Sequence, residues 1–359
     1  MFTTLKKTHR DFHSYLMGTL PKGYRAIPVQ TLNLGTQDEE VTFDCRPINE
    51  IKKPSGFKFL ATFIKLRSYL LILLPLLFVV VKNFVDDRFR DPFSLGFSIV
   101  AMQLLYAGIN IRNDVVDHVS GFDRVNIPFT EKPILQGWIS ARKSNLYAWC
   151  LILLAALIAV PTLILQAEEI KVLAVVLILV FLGHIFRGSF YKEKHFGEFI
   201  LFILIGPGVV SGYQVALGAG IDTEGLSFGV LWGFAALFLV HINNFCHLLT
   251  SSQAIVRNTM TNLGFDRAKK FLLIWWLIFI FLFFLFHWFY ASTFWAWFGT
   301  GLLIFWSFPL PIEISGIRSP LGSDLINLRK KAHDTFTLMT MILMIEYIWY
   351  AGVKINWMI

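Results

Sequence analysis

Apolar residues in this chain occur in long unbroken runs, with polar and charged residues gathered between them. Runs of that length and composition predict helices that cross a membrane. Nine are expected: about Phe57–Phe84, Phe93–Ile111, Leu146–Gln166, Lys171–Ile185, Phe199–Gly218, Leu226–Cys246, Phe271–Tyr290, Phe294–Pro309 and Phe336–Val353. The first begins with Lys58, Lys65 and Arg67, so its lipid-crossing part is expected to start near Ser68. Asp86, Asp87, Arg88, Arg90 and Asp91 end it. The third and fourth form a tight hairpin around Ala167-Glu168-Glu169, and Gly206-Pro207-Gly208 should kink the fifth. The expected fold is an all-α integral membrane bundle of about nine transmembrane helices, over residues 56–359. Residues 1–55 carry no apolar core segment of a signal peptide, and they are expected to form a cytoplasmic extension whose role the residues do not reveal.

Composition supports this reading: 55% of residues are hydrophobic and 16% charged, and the chain holds 36 Phe and 11 Trp. The net charge of +8 by itself suggests nucleic acid, but the basic residues sit in short connections between apolar runs and read as topology signals instead. Arg124, Lys132, Arg142, Lys143, Arg187, Lys192, Lys194, Arg257, Arg267, Lys269, Lys270, Arg318, Arg329, Lys330 and Lys331 fall on alternate connections, which the positive-inside rule places in the cytoplasm. Cys45, Cys150 and Cys246 have no disulfide or zinc spacing.

One polar cluster calls for chemistry. Asn113-Asp114-Val115-Val116-Asp117-His118-Val119-Ser120-Gly121-Phe122-Asp123 follows the second apolar run. On a helix Asp114 and Asp117 share a face, where two carboxylates can hold one divalent cation, and Asn113 adds a neutral oxygen. Hard oxygen ligands suit Mg²⁺, which commonly bridges carboxylates to substrate phosphates. The competing reading is a solvated loop, or carboxylates paired with Arg112 and Arg124.

Read on through Lys132-Pro133-Ile134-Leu135-Gln136-Gly137-Trp138-Ile139-Ser140, the stretch resembles the first aspartate motif of UbiA-type intramembrane prenyltransferases. Gly121 before Asp123 is most similar to the branch that prenylates 1,4-dihydroxy-2-naphthoate in menaquinone biosynthesis. The resemblance implies a nine-helix bundle in which Asn113, Asp114, Asp117 and Asp123 hold Mg²⁺ against a prenyl diphosphate. The partner substrate would be an aromatic small molecule reached from the membrane lipid. Tyr191-Lys192-Glu193-Lys194-His195-Phe196-Gly197-Glu198 resembles the family's basic loop, which makes Lys194 the expected diphosphate contact, with Arg187 and Lys192 as competitors. Gly206, Pro207, Gly212 and Tyr213 also look like the family.

After the sixth run the chain departs from that pattern. The branch carries Asn-Asn-x-Arg-Asp-x-x-x-Asp; here Asn243 and Asn244 match, but Cys246 stands for the arginine, and His247 and Ser251 stand for the aspartates. Arg257-Asn258-Thr259 resembles the basic-x-Thr that follows. Two carboxylates fewer weaken any second Mg²⁺ site, and imidazole is a poorer ligand for that ion. Either the protein works with one well-held metal, with Asn243, Asn244 and His247 contacting substrate and Arg257 beside them, or it has lost the reaction. His118, His195, His241 and His333 have no ligand spacing, while Glu313 and Asp324, near Arg318, read either as a solvated loop, the favoured reading, or as groups that close over the site.

The expected activity is Mg²⁺-dependent transfer of a prenyl chain to an aromatic acceptor, on the cytoplasmic side of the cell membrane. The alternatives are a membrane terpene cyclase of the same superfamily and a non-catalytic isoprenoid-binding relative. Transport is weaker, because the acids cluster at one surface rather than along a path.

Overall fold

The computed structural model describes residues 1–19, 23–125, 132–165, 196–254, 256–320 and 324–358. Residues 2–47 form a small antiparallel sheet: β1 (Phe2–Lys6), a short helix α1 (Phe12–Leu16), β2 (Tyr24–Leu32) and β3 (Glu40–Pro47), in the order β1-β3-β2. Alternation builds it, since Val41 and Phe43 point inward from β3 onto Phe12, Leu16 and Ala26. The expected extension is thus a folded unit. Its strand signal was short, and its core is five side chains wide.

Helices follow. α2 (Gly56–Phe63) leads to a 3₁₀ turn and α3 (Leu70–Val85), and the break between them is set by Lys65 at φ +56°. Then come α4 (Pro92–Ser120), the single-turn α5 (Phe122–Val125) and α6 (Ala141–Leu165). α7 (Phe196–Ile203) and α8 (Val209–Ala216) flank a π turn at Leu204–Gly208, where the expected Gly206-Pro207-Gly208 kink falls. α9 (Thr223–Cys246), α10 (Leu248–Gln253), α11 (Thr259–Tyr290), α12 (Thr293–Ser307), α13 (Pro309–Gly316) and α14 (Asp324–Met358) complete the described chain.

Among the described residues six helices are long and apolar enough to cross a membrane, against the nine expected. The expected span at 171–185 lies outside the described residues, Leu70–Val85 is a shorter apolar helix, and the last span falls within α14. α9 is the centre of the bundle, with Phe228, Trp232, Ala235 and Phe245 almost wholly buried. The outer helices turn Leu, Phe and Trp outward, as lipid contact requires.

Two polar ends bound this apolar body. At one end Lys82 pairs with Asp86 at 2.9 Å, Asp222 at 2.8 Å and Glu224 at 3.3 Å, joining α3 to the start of α9. The other end holds the acidic cluster, and there the β-unit docks. His118 Nε2 lies 3.0 Å from the Leu16 carbonyl, and the Arg142 amide donates to the Met17 carbonyl at 3.1 Å. Leu34 covers Gly121, where a Cβ would lie 2.2 Å from Leu34 Cδ1.

Candidate active site

Nothing between Pro92 and Ser120 breaks the helix, so α4 runs past the expected boundary at Ile111 and carries Asn113, Asp114 and Asp117 on regular turns. Gly121, at φ +94°, reverses the chain, a conformation that suits glycine. α5 then returns Asp123 to the same place. Asp114, Asp117 and Asp123 are buried, and one oxygen from each lies within 4.8 Å of the others. Asn113 is half-buried, one turn before Asp117.

Such a group of buried carboxylates needs compensating charge. The partners differ from the arginines considered above. Lys132 Nζ lies 2.6 Å from Asp123, 3.1 Å from Asp114 and 3.6 Å from Asp117, while Lys65 Nζ lies 2.7 Å from Asp114. Burial opposes the Lys132 charge, but Asp114, Asp123 and Asp117 outweigh it and hold its pKa above the usual lysine value. Burial pushes the Asp123 carboxyl up to about 6 against the pull of Lys132, with Asp117 and Asp114 adding to the rise. Arg124 turns away from the acids: it faces Glu39 of the β-unit at 2.8 Å.

The altered second motif faces the first. His247 ends α9, and its ring lies 6.4 Å from that of Phe122, beside the turn that carries Asp123. Burial lowers the His247 pKa, and the charges of Arg329 and Lys132 lower it further. Cys246 Sγ lies 3.3 Å from the Leu325 carbonyl, and Ser251 is buried. Asn243 and Asn244 are half-buried on the last turn of α9, and Arg257 is exposed just before α11.

Lys194, Lys192, Arg187 and His195 lie outside the described residues. Glu198, where description resumes, bonds the Thr259 amide at 3.3 Å and the Thr259 hydroxyl, and lies 3.7 Å from His241. That ties α7 to α9 and α11. His241 also packs edge-on against Phe271 and Trp275, so it serves the framework, as does His118. Glu313 pairs with Lys331.

Two further groups went unrecognised in the sequence. Lys65 reaches the acids only because of a left-handed backbone turn. Tyr106 and Asn110 lie deeper on the face of α4 that bears Asp114 and Asp117. Tyr69 meets the Tyr106 ring edge-on at 5.2 Å, and Asn110 donates to Ser68 and to the Ile64 carbonyl, both at 3.2 Å. Periodicity along α4 places Tyr106 and Asn110 on that face, but it does not bring Tyr69 to them.

Comparison with known proteins bears on this arrangement. Residues 69–319 match the UbiA prenyltransferase family. No curated protein sequence matches the chain. Among solved structures, a UbiA homologue from Archaeoglobus fulgidus bound to DMAPP and Mg²⁺ is similar, with TM-score 0.55 and 16% identity over 82% of this chain and 99% of that one. The same comparison with a UbiA homologue from Archaeoglobus fulgidus bound to GPP and Mg²⁺ gives TM-score 0.52 and 15% identity, over 79% and 99% of the two chains. A structure of digeranylgeranylglyceryl phosphate synthase gives 0.54 and 14%, over 81% and 98%. At such identities these likenesses concern the fold.

Proposed function

This chain belongs to the UbiA prenyltransferase family, and from that premise we propose that it transfers a prenyl chain from a prenyl diphosphate to an aromatic acceptor of the quinone-precursor type. The observation that carries the reading is the convergence of Asp114, Asp117 and Asp123, buried and within 4.8 Å of one another, in a family whose solved members include homologues bound to prenyl diphosphates and Mg²⁺. An all-oxygen anionic donor set fits Mg²⁺, with Asn113 as a neutral fourth oxygen. Mg²⁺ there would offset the charge that develops on the diphosphate as its bond to the allylic carbon breaks.

This chain's own residues supply the rest. Lys65 and Lys132 offset two of the three carboxylate charges. With the acids otherwise engaged, both ammonium groups are free to meet phosphate oxygens. Lys194, with Lys192 and Arg187 as alternatives, would add a further cation from the stretch of sequence before α7. Tyr69 and Tyr106, which meet edge-on at 5.2 Å along the face of α4 that bears the acids, would offer aromatic surface to the cationic character of the breaking allylic centre. The electron pair for the new bond comes from a carbon of the acceptor ring.

His247, opposite Phe122, would contact substrate, as would Asn243, Asn244 and Arg257, in place of a second carboxylate pair. This favours one divalent ion over two. Basic residues at the same end of the bundle, including Lys143, Arg257 and Lys269, support placing the site on the cytoplasmic side of the membrane.

The test is titration of the purified protein with geranylgeranyl diphosphate, with and without Mg²⁺. Binding that requires Mg²⁺ and is lost in Asp114→Ala supports the site. Binding indifferent to both would overturn it. Pyrophosphate release that needs no acceptor and leaves a cyclic hydrocarbon, rather than the prenyl alcohol that capture by water gives, would reveal cyclisation.

A further inference from the structure

Residues 1–68 fall outside the family match, yet the β-unit is seated on the turn that carries the acids. Its central contact is charged and buried. Arg124 follows Asp123 directly, and its guanidinium donates to the His118 carbonyl through Nε and to the Val119 carbonyl through Nη2, both at 3.1 Å. It thereby closes the last turn of α4. Its remaining amine faces Glu39 Oε1 at 2.8 Å, and the two side chains are only 1% and 4% exposed. Glu39 is itself fixed from its other oxygen, which accepts from the Gly35 amide at 3.2 Å and from Lys7 at 3.3 Å.

A guanidinium buried to this depth stays in place only while its counter-charge does. We propose that Glu39 is a positioning residue for the acidic site. Acting through Arg124, it sets the reversal at Gly121, and so sets where Asp123 stands relative to Asp114 and Asp117. The β-unit then completes the cation site from outside the membrane-embedded body without touching substrate. This inference rests on the reading of the three carboxylates as a divalent-cation site.

Mn²⁺ binding to the full-length protein in detergent, followed by electron paramagnetic resonance, tests it independently of turnover. Glu39→Gln should weaken Mn²⁺ binding roughly tenfold, as loss of a supporting contact does at other metal sites. It should raise the Mg²⁺ concentration for half-maximal pyrophosphate release by the same factor, with KM for the prenyl diphosphate unchanged at saturating Mg²⁺. Glu40→Gln, the same change of charge at the neighbour that pairs with Lys6 at 3.3 Å, should alter neither. Arg124→Lys keeps the charge pair but cannot span both carbonyls. It should shift Mn²⁺ binding in the same direction, and it serves if Glu39→Gln does not fold. Mn²⁺ bound by these variants as tightly as by the unsubstituted protein overturns the inference, even if their thermal stability falls. Absence of Mn²⁺ binding in the unsubstituted protein, or its retention in Asp117→Asn, overturns the site reading and this inference with it.

Discussion

Asp117→Asn removes one anionic ligand while preserving shape. It should lower Mg²⁺-dependent pyrophosphate release by at least about a hundredfold, measured with a prenyl diphosphate and an excess of acceptor. His247→Asp restores a carboxylate opposite Phe122. If the altered motif limits the reaction, the rate rises and the Mg²⁺ dependence steepens. A fall in rate assigns His247 a role of its own. Gly121→Ala forces an L side chain into a φ of +94° and against Leu34, and should cost about 1–2 kcal/mol, read as a lower melting temperature. The acidic cluster stood out in spacing, because Asp114 and Asp117 share a helix face, but spacing alone left a solvated loop as an equal alternative. Lys65 did not stand out, since a left-handed lysine leaves no mark in residue pattern. Lys132 was visible within its motif, but it read as a topology signal until the fold brought it onto the acids.

The π turn at Leu204–Gly208 sits where the sequence placed a kink, and the glycines there serve close packing as well. A Cβ on Gly206 would lie 2.5 Å from the Gly229 carbonyl oxygen and 2.8 Å from Gly233 Cα, both backbone atoms that cannot move aside cheaply. Gly206→Ala should therefore destabilise the bundle by about 1–3 kcal/mol. Gly212→Ala, with nothing within 4 Å of the added Cβ, should be neutral or slightly stabilising. Thermal unfolding of both variants in one detergent checks the contrast. Among the described residues the six spanning helices fall on expected apolar runs, because such runs mark helix centres directly, while the first expected run is split at Lys65. Helix ends were less legible: α4 extends into polar sequence, and α11 opens with a short turn capped by Asn258 and Thr261 and is broken at Gly264, φ +72°, before its apolar length begins. The strands of the N-terminal unit were missed for a different reason. Their few inward residues, among them Val41 and Phe43, make too short an alternation to stand out beside runs of membrane length.

Across the molecule, the end opposite the acids is held by ions. Asp222 accepts from Lys82 at 2.8 Å, Arg88 at 2.9 Å, Gln214 at 3.0 Å and the Gly225 amide at 2.6 Å. Burial raises its pKa, but these donors outweigh burial and hold it below the usual value. A carboxylate depressed in the folded state contributes stability above its unfolded pKa of about 4 and loses it as pH falls through the folded value. Asp222→Asn should therefore lower stability by about 2 kcal/mol at pH 7, and the gap from the unsubstituted protein should close in melting curves taken below about pH 4. The acidic end differs in where its parts lie along the chain. The β-unit, Lys65, Asp114, Asp117, Asp123, Lys132 and Arg142 all fall within the first 165 residues, as does α6, which packs along α4. A ribosome releasing this chain from its N-terminus would therefore have made every described acid, both lysines and the seated sheet before α9 exists. Assembly of the cation site can precede assembly of the bundle around it, with the later helices closing onto a half already formed.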